Sequence, residues 1–164
     1  MQKILILLAL LWGLVLLSQD FGVPDPPQPT NLPDFWKSTL DDIDAEIAAV
    51  KKGEAQVIAT SPGGLPVYLV AYGEKENFES QANYNSAVAA RNLAAYARKD
   101  SLKPVVFFLG PVHGQEIENI VGLVNLLHVL ETGQDYSGKA WPGLVNKARQ
   151  CRILIIPCGN PDGR

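Results

Sequence analysis

A histidine and a carboxylate, three residues apart, directly follow an apolar segment of this 164-residue chain. The segment, Pro-Val-Val-Phe-Phe-Leu at 104–109, continues through Gly-Pro-Val into His113 and then Glu116. Zinc in proteins accepts both a neutral imidazole and a carboxylate as ligands, and the two side chains can point the same way if the first turn of a helix carries them. Open α/β sheets bind their ligands just past the carboxyl ends of the strands. The pattern therefore predicts a zinc site at His113 and Glu116.

The same two residues also have a purely structural interpretation. His113 can hydrogen-bond a backbone carbonyl while Glu116 caps the helix that follows. The second histidine of the chain, His128, lies in the middle of that predicted helix and is interpreted as a surface or core-edge side chain. The choice between a metal site and a helix cap therefore depends on the motifs around the pair.

A second motif stands at the end of the sequence. The apolar segment 152–156 is followed by Pro-Cys-Gly-Asn-Pro-Asp-Gly at 157–163. Proline sets φ and glycine accepts positive φ, so Asn-Pro-Asp-Gly predicts a turn. We expect no catalytic role for Asp162 in this turn.

Three motifs together resemble the zinc carboxypeptidases, the metallocarboxypeptidases related to carboxypeptidase A and to bacterial peptidoglycan-processing peptidases. They are the His-x-x-Glu pair after a buried-type strand, the strand with its Asn-Pro-Asp-Gly turn, and Gly-Leu-Pro-Val-Tyr-Leu-Val at 64–70. Their order and spacing are similar to those of the family, within residues 52–164. The resemblance implies a mixed sheet flanked by helices, with one zinc ion at its carboxyl edge bound by His113 and Glu116.

The resemblance also implies an activity. Metal-activated water would hydrolyse an amide bond near the C-terminus of a peptide or a peptidoglycan peptide. In the family, the second zinc histidine, the substrate-binding residues and the general-base glutamate all follow the Asn-Pro-Asp-Gly turn, whereas this sequence ends one residue after it, at Arg164. We therefore expect no catalytic residue within the chain and an inactive fragment, and its substrate-binding residues stay unknown.

Two alternative functions remain open. A small-molecule deacylase of the succinylglutamate desuccinylase and aspartoacylase type also uses a His-Gly-x-Glu motif, although export of the chain disfavours it because those substrates are cytosolic. A pseudoenzyme or binding module would keep the fold without the chemistry. A further histidine and a later glutamate would distinguish an enzyme from a binding module.

The N-terminal residues predict export. Residues 4–17 are apolar and uncharged, a run that is short for a membrane span and typical of the hydrophobic region of a signal peptide. We interpret 1–19 as a signal peptide or N-terminal anchor, 20–33 as a proline-rich linker, and 34–164 as the N-terminal part of a catalytic domain. The protein is expected to be secreted or periplasmic, and to contact a membrane only through an uncleaved N-terminal segment.

Hydrophobic periodicity and turn residues predict an α/β domain with a mixed, mostly parallel sheet flanked by helices. The expected helices are 34–52, 86–99, 118–131 and 144–150, and the expected strands are 54–60, 65–72, 103–109 and 152–156. The first two strands should form a hairpin. The last two are apolar on both faces, so we expect them to be parallel, central and buried neighbours.

The charge of the chain gives no sign of nucleic-acid binding, and the positions of its cysteines exclude a disulfide between them. The net charge is −3 without a basic cluster, so nothing indicates binding to nucleic acid. Cys151 and Cys158 lie at opposite ends of one predicted strand, roughly 23 Å apart and on opposite faces, which is too far for a disulfide.

The acidic residues of the first predicted helix, including Glu46, are interpreted as a solvated face.

A reporter fusion tests the export signal. Residues 1–27 fused to a reporter enzyme should carry it across the membrane, because the apolar run has the length and the flanks of a signal peptide. A reporter that stays in the cytosol would contradict the prediction.

Overall fold

The computed structural model describes residues 31–75, 84–89, 91 and 103–164. In chain order the described elements are α1 (Leu40–Ala49), β1 (Glu54–Thr60), β2 (Pro66–Tyr72), α2 (Tyr84–Ala89), β3 (Val105–Leu109), α3 (Ile117–Thr132), α4 (Pro142–Ala148), β4 (Arg152–Ile156) and a 3₁₀ turn at Pro161–Gly163. The predicted signal peptide, most of the linker and most of the predicted helix 86–99 lie outside the described residues. None of the described helices is long and apolar enough to cross a membrane.

The four strands form one sheet in the order β1-β2-β4-β3. β1 and β2 pair as the predicted antiparallel hairpin, whose turn uses Gly64 at φ 83°. β2 pairs antiparallel with β4, and β3 pairs parallel with β4. The prediction of a mixed sheet flanked by helices is confirmed, although two of the three described pairings are antiparallel, so this part of the sheet is not mostly parallel.

The position of β3 differs from the prediction. β4 is central, with Ile153 and Ile155 buried, but β3 lies at an edge of the described sheet. Val105, Phe107 and Leu109 are 48%, 55% and 49% exposed. An apolar sequence on both faces shows that a strand can be buried, but its burial depends on neighbouring strands that other parts of a chain have to supply. The expectation that β3 is central and buried was therefore wrong.

The core lies between the sheet and the helices α1 and α3. Every third or fourth residue of α3 is fully buried, at Ile120, Val124 and Leu127, as expected for the apolar face of an amphipathic helix. Leu127 packs with Val70 and Ile155 of the two central strands, whereas Ile120 and Val124 pack with Ile43 of α1 and with Cys158. Each such side chain contributes about 1.5–3 kcal/mol when it is fully buried. Because α3 is buried against the sheet, its N-terminus is held near the carboxyl end of β3.

The boundaries of α3 and α4 agree with the sequence within two residues, and α2 begins two residues before the predicted helix 86–99, whose later part lies outside the described residues. The first helix differs. α1 begins at Leu40 rather than at 34, because Thr39 and Asp42 form a capping box there. The Thr39 hydroxyl accepts from the amide of Asp42, and the Asp42 carboxylate accepts from Thr39 and Ser38. The Thr-x-x-Asp spacing is a sequence signal for a helix start, and it marks the correct boundary.

The cysteines behave as expected. Both are free, with Cys158 buried and Cys151 half-buried. They lie at opposite ends of β4, and burial raises the pKa of the Cys158 thiol. A buried thiol of this kind acts as a small apolar side chain.

A carboxylate at the end of α3 fastens the segment that joins α1 to β1. Glu131 accepts hydrogen bonds from the amides of Lys51, Lys52 and Gly53, and from the hydroxyl of Tyr72 at 2.9 Å. Burial raises the pKa of Glu131, but these hydrogen bonds outweigh the burial, so the net pKa is lowered. Folding therefore favours the ionised form of the Glu131 carboxylate.

We expect Glu131→Gln to lower the free energy of unfolding by about 1–2 kcal/mol at neutral pH, because the charge-assisted hydrogen bonds are lost. Since folding lowers the pKa, this contribution is present above the unfolded-state pKa of about 4.3 and disappears as the pH falls through the folded-state value. Urea unfolding of both proteins between neutral pH and about pH 3 should show the difference shrinking in acid.

Glu74→Gln is the matched control, because Glu74 is exposed after β2 and makes no hydrogen bond to a described residue. It should change the stability by less than about 0.5 kcal/mol. A Glu131→Gln difference that is independent of pH would contradict a role for the charge.

Candidate metal centre

His113 and Glu116 meet in the loop that follows the carboxyl end of β3. His113 Nδ1 lies 3.0 Å from Glu116 Oε1. The backbone brings them together through a tight turn, in which the amide of Glu116 donates to the carbonyl of His113 at 3.2 Å. Both residues precede α3, since Glu116 is its N-cap. The two side chains converge as the sequence predicted, but a turn carries them rather than the first turn of the helix.

The contacts of the pair disagree with the structural interpretation. Glu116 occupies the N-cap position of α3 but makes no side-chain capping hydrogen bond. Its carboxylate faces the imidazole of His113 instead, and the two side chains are 42% and 75% exposed. A carboxylate that leaves the helix amides free and turns towards an exposed imidazole is available to a ligand from solvent.

Two glycines allow this loop to pack against the end of the chain. A Cβ atom on Gly110 would lie 2.0 Å from the carbonyl oxygen of Pro157, and one on Gly114 would lie 1.7 Å from that of Gly163. Neither glycine has a positive φ. They are therefore required by the close approach of two backbones, not by an unusual backbone conformation.

The Asn-Pro-Asp-Gly turn holds the loop from the other side. Asn160 donates through its side-chain amide to the carbonyl of Val112 at 2.9 Å and accepts from the amide of Gly163 at 3.2 Å. The backbone amides of Gly159 and Asn160 both donate to the carbonyl of Pro111 at 3.1 Å. The sequence predicted a turn here, and the structure adds that this turn supports the backbone next to His113.

Asp162 connects the same turn to the β1–β2 hairpin. Its carboxylate accepts from the hydroxyl of Ser61 at 2.6 Å and from the amide of Gly63 at 2.9 Å. The expectation that Asp162 has no catalytic role agrees with these structural contacts. The hairpin turn, the His113 loop and the Asn160 turn, which are far apart in sequence, therefore meet at one edge of the domain.

Arg164 adds a further link across this edge. Its guanidinium donates to the carbonyl of Ser38 at 2.8 Å and to that of Gly114 at 3.4 Å. The first contact reaches the residue before the capping box of α1. Arg164 thus joins the start of α1 to the loop between His113 and Glu116.

The spacing of the pair fits shared coordination of one zinc ion. Two ligand atoms at zinc distances of about 2.0–2.2 Å in a tetrahedral arrangement are about 3.4 Å apart, so the observed 3.0 Å needs only a small opening of the pair. Within the described part of the chain, no group of three or more histidine, cysteine, aspartate and glutamate side chains is placed to hold a metal. His113 and Glu116 therefore supply two candidate ligands.

A second polar cluster, which the sequence did not predict, lies away from this edge. Glu46 is only 4% exposed and accepts a hydrogen bond from the hydroxyl of Tyr136, so the expectation that it belongs to a solvated face was wrong. Burial and this hydrogen bond raise the pKa of Tyr136. The ring of His128 stacks on Tyr136 with centroids 4.0 Å apart, which confirms its interpretation as a core-edge side chain. The acidic sequence of α1 gave no signal that one of its carboxylates turns inward to a tyrosine ninety residues away.

Solved structures that are similar to this chain include two carboxypeptidases. No family model matches the chain, and no curated protein matches it. A metallo-carboxypeptidase from Burkholderia cenocepacia superimposes with a TM-score of 0.46 and 17% identity over 75% of this chain and 26% of its own. A candidate carboxypeptidase from Burkholderia mallei gives the same values over 24% of its own chain. The chain thus spans about a quarter of these proteins, and similarity at this level does not assign it to a family.

Gly114→Ala tests whether the backbone contact positions the pair. The added methyl group would overlap the carbonyl of Gly163, so the loop has to move. We expect a loss of about 1–3 kcal/mol in the free energy of unfolding, together with a changed ring environment of His113 in the NMR spectrum.

Gly122→Ala in the middle of α3 is the matched control, because nothing lies within 4 Å of its added methyl group. It should raise the stability by about 0.5–1 kcal/mol, since alanine favours the helix. If Gly114→Ala is as well tolerated as Gly122→Ala, the contact does not hold the loop.

Proposed function

We propose that this chain is part of a zinc-dependent hydrolase of the metallocarboxypeptidase type, in which His113 and Glu116 are two of the metal ligands. The observation that carries the proposal is the 3.0 Å contact between His113 Nδ1 and Glu116 Oε1. It lies just past the carboxyl end of a strand, where α/β folds place their ligands. The reaction would be hydrolysis of an amide bond near the C-terminus of a peptide.

The chemistry of the pair supports this assignment. A neutral imidazole and a carboxylate are the ligand types of catalytic zinc sites, and such sites keep a coordination position open for water or substrate. When bound, the ion would lower the pKa of a water molecule and polarise the scissile carbonyl. The protein's own part is to hold the two ligand atoms close together while leaving them open to solvent, as their exposure of 75% and 42% allows.

The surroundings of the pair support a positioned site rather than a chance contact. The loop is fixed on one side by the hydrogen bonds of Asn160 and on the other by the burial of α3. Ligands that are held in place before binding lose less conformational entropy when the metal arrives. Asn160 therefore acts as a positioning residue in the proposal, with no contact to the metal.

The proposed location and substrate follow from the N-terminal sequence. An exported protein meets peptides outside the cytoplasm, including the peptides of peptidoglycan, so we propose one of these as the substrate class. The zinc ion is the only cofactor that the proposal requires. Neither nucleic acid nor a membrane, beyond an uncleaved N-terminal segment, is part of it.

Zinc titration by calorimetry tests the metal site directly. Because the described residues supply two ligands and water has to fill the other positions, we expect a dissociation constant on the order of micromolar or weaker. His113→Gln and Glu116→Gln should each weaken binding by about tenfold or more, since each removes one ligand. In an active form of the protein, the same substitutions should abolish peptide hydrolysis.

His128→Gln is the matched control. The chain has two histidines, so NMR can follow both rings during the titration, and only the resonances of His113 should shift. Tight stoichiometric binding that survives His113→Gln would show that another group is the ligand, and would contradict the proposal.

A further inference from the structure

A carboxylate is enclosed between α1 and α3. Glu46 of α1 is 4% exposed, and its Oε2 atom accepts a hydrogen bond from the hydroxyl of Tyr136. Its Oε1 atom is buried and has no hydrogen-bond partner within the described part of the chain. An ionised carboxylate in such a place is unfavourable unless a cation or a further donor compensates for the lost water. The Oε1 atom of Glu46 therefore needs a partner.

The imidazole of His128 faces this oxygen. Its Nδ1 atom lies 3.5 Å from Glu46 Oε1, and its ring stacks on the ring of Tyr136 with centroids 4.0 Å apart and an interplanar angle of 14°. The stacking keeps Nδ1 directed towards the carboxylate. The side chain of His128 is 27% exposed, so water reaches the imidazole although Glu46 is enclosed. Protons from solvent can therefore reach these three side chains through His128.

The partner of Oε1 has to come from the residues already packed around it. Because this atom is buried, a segment outside the described ranges cannot contact it without displacing α1, α3 or the loop 133–141. Tyr136 of that loop packs against the apolar core around Ile43, and its amide donates to Asn125 Oδ1 at 3.4 Å. The loop is thus fastened to both helices, and the enclosure of Glu46 belongs to the described domain itself.

The other titratable groups near this carboxylate come from every element that packs around it. They are Lys37, Asp42, Tyr68, Tyr72, Glu131 and Cys158. Lys37 Nζ lies 3.9 Å from Asp42 Oδ1, and the hydroxyl of Tyr72 donates to Glu131 at 2.9 Å. Burial raises the pKa of Tyr68 and of Cys158, so both stay neutral near pH 7. Within the described residues, His128 is therefore the group placed to bring a positive charge to Oε1.

We propose that Glu46, His128 and Tyr136 form a proton-dependent contact that fastens α1 to α3. When His128 takes up a second ring proton from solvent, the imidazolium supplies both a donor and a positive charge to Glu46 Oε1, while Tyr136 continues to donate to Oε2. The buried carboxylate is then paired on both oxygens. The contact is independent of the proposed metal centre, since neither His113 nor Glu116 belongs to it.

The sign of the pH dependence follows from where the proton binds. The folded chain offers protonated His128 an enclosed carboxylate, whereas the unfolded chain offers it water, so folding and proton uptake favour each other. A histidine in an unfolded chain loses its proton around pH 6.5. The contact should therefore stabilise the fold below that pH and lose its contribution as the pH rises above it. Burial and the hydrogen bond to Glu46 raise the pKa of Tyr136, so its hydroxyl remains a donor throughout this range.

A double-mutant cycle in the full 164-residue chain tests the contact. Glu46→Gln removes the charge, and His128→Phe removes the ring nitrogens while it keeps a ring against Tyr136. Urea unfolding of the four proteins gives the factor by which the two residues together change the unfolding equilibrium constant, and other titrating groups cancel in the cycle. We expect a factor of about ten near pH 5 and of about two or less near pH 8. A factor that is absent near pH 5, or equal at both pH values, would overturn the proposal.

Asp44→Asn is the matched control, because Asp44 lies on the same helix but is exposed. Its cycle with His128→Phe should give a factor within about twofold of one at both pH values. NMR of the unsubstituted chain provides a second measurement that needs no buried substitution, with the two histidine rings assigned by His113→Gln. The ring of His128 should be half-protonated at a pH above the value of about 6.5 for an unfolded chain. Half-protonation at or below that value would contradict a proton-dependent contact with Glu46.

Discussion

The contact between two backbones, the loop after β3 and the turn that ends the chain, is the constraint on which the site depends. Gly110 lies against Pro157 and Gly114 against Gly163 so closely that a single methyl group would not fit at either position. Hydrogen bonds from Gly159 and Asn160 to Pro111 complete the contact. Such an arrangement satisfies polar backbone groups in an irregular segment, and it fixes the turn in which His113 and Glu116 meet.

Carboxylates hold backbone segments in place at three other positions in the domain. Glu131 binds the amides that lead from α1 to β1, Asp162 binds the hairpin turn, and Asp42 caps α1. The fold lowers the pKa of Glu131 and Asp42 by hydrogen bonds that outweigh burial. These three carboxylates therefore accept hydrogen bonds from backbone amides, whereas the Glu116 carboxylate, within the described part of the chain, contacts the imidazole of His113.

The edge of β3 and the candidate metal centre belong to one continuous structure. β3 ends at Leu109, four residues before His113, and within the described sheet β4 pairs with one of its two sides. The apolar character of Val105, Phe107 and Leu109 contributes nothing to the described core, because all three are about half exposed.

The sequence by itself determined the local features of this protein. The four described strands and the helices α3 and α4 follow from periodicity within two residues, and the His113–Glu116 pair follows from its place after an apolar strand. Only the tertiary structure decided which strands lie at the edges, because the sequence of β3 records that it can be buried but not which strand covers it. The tertiary structure also decided that Glu46 turns inward to Tyr136 and that Asn160 binds the backbone next to His113, since each contact joins residues that are distant in the chain. The sequence pattern of a segment reflects the backbone dihedral angles and the burial that its own residues favour. These contacts depend instead on how helices and strands that are far apart in the chain pack together.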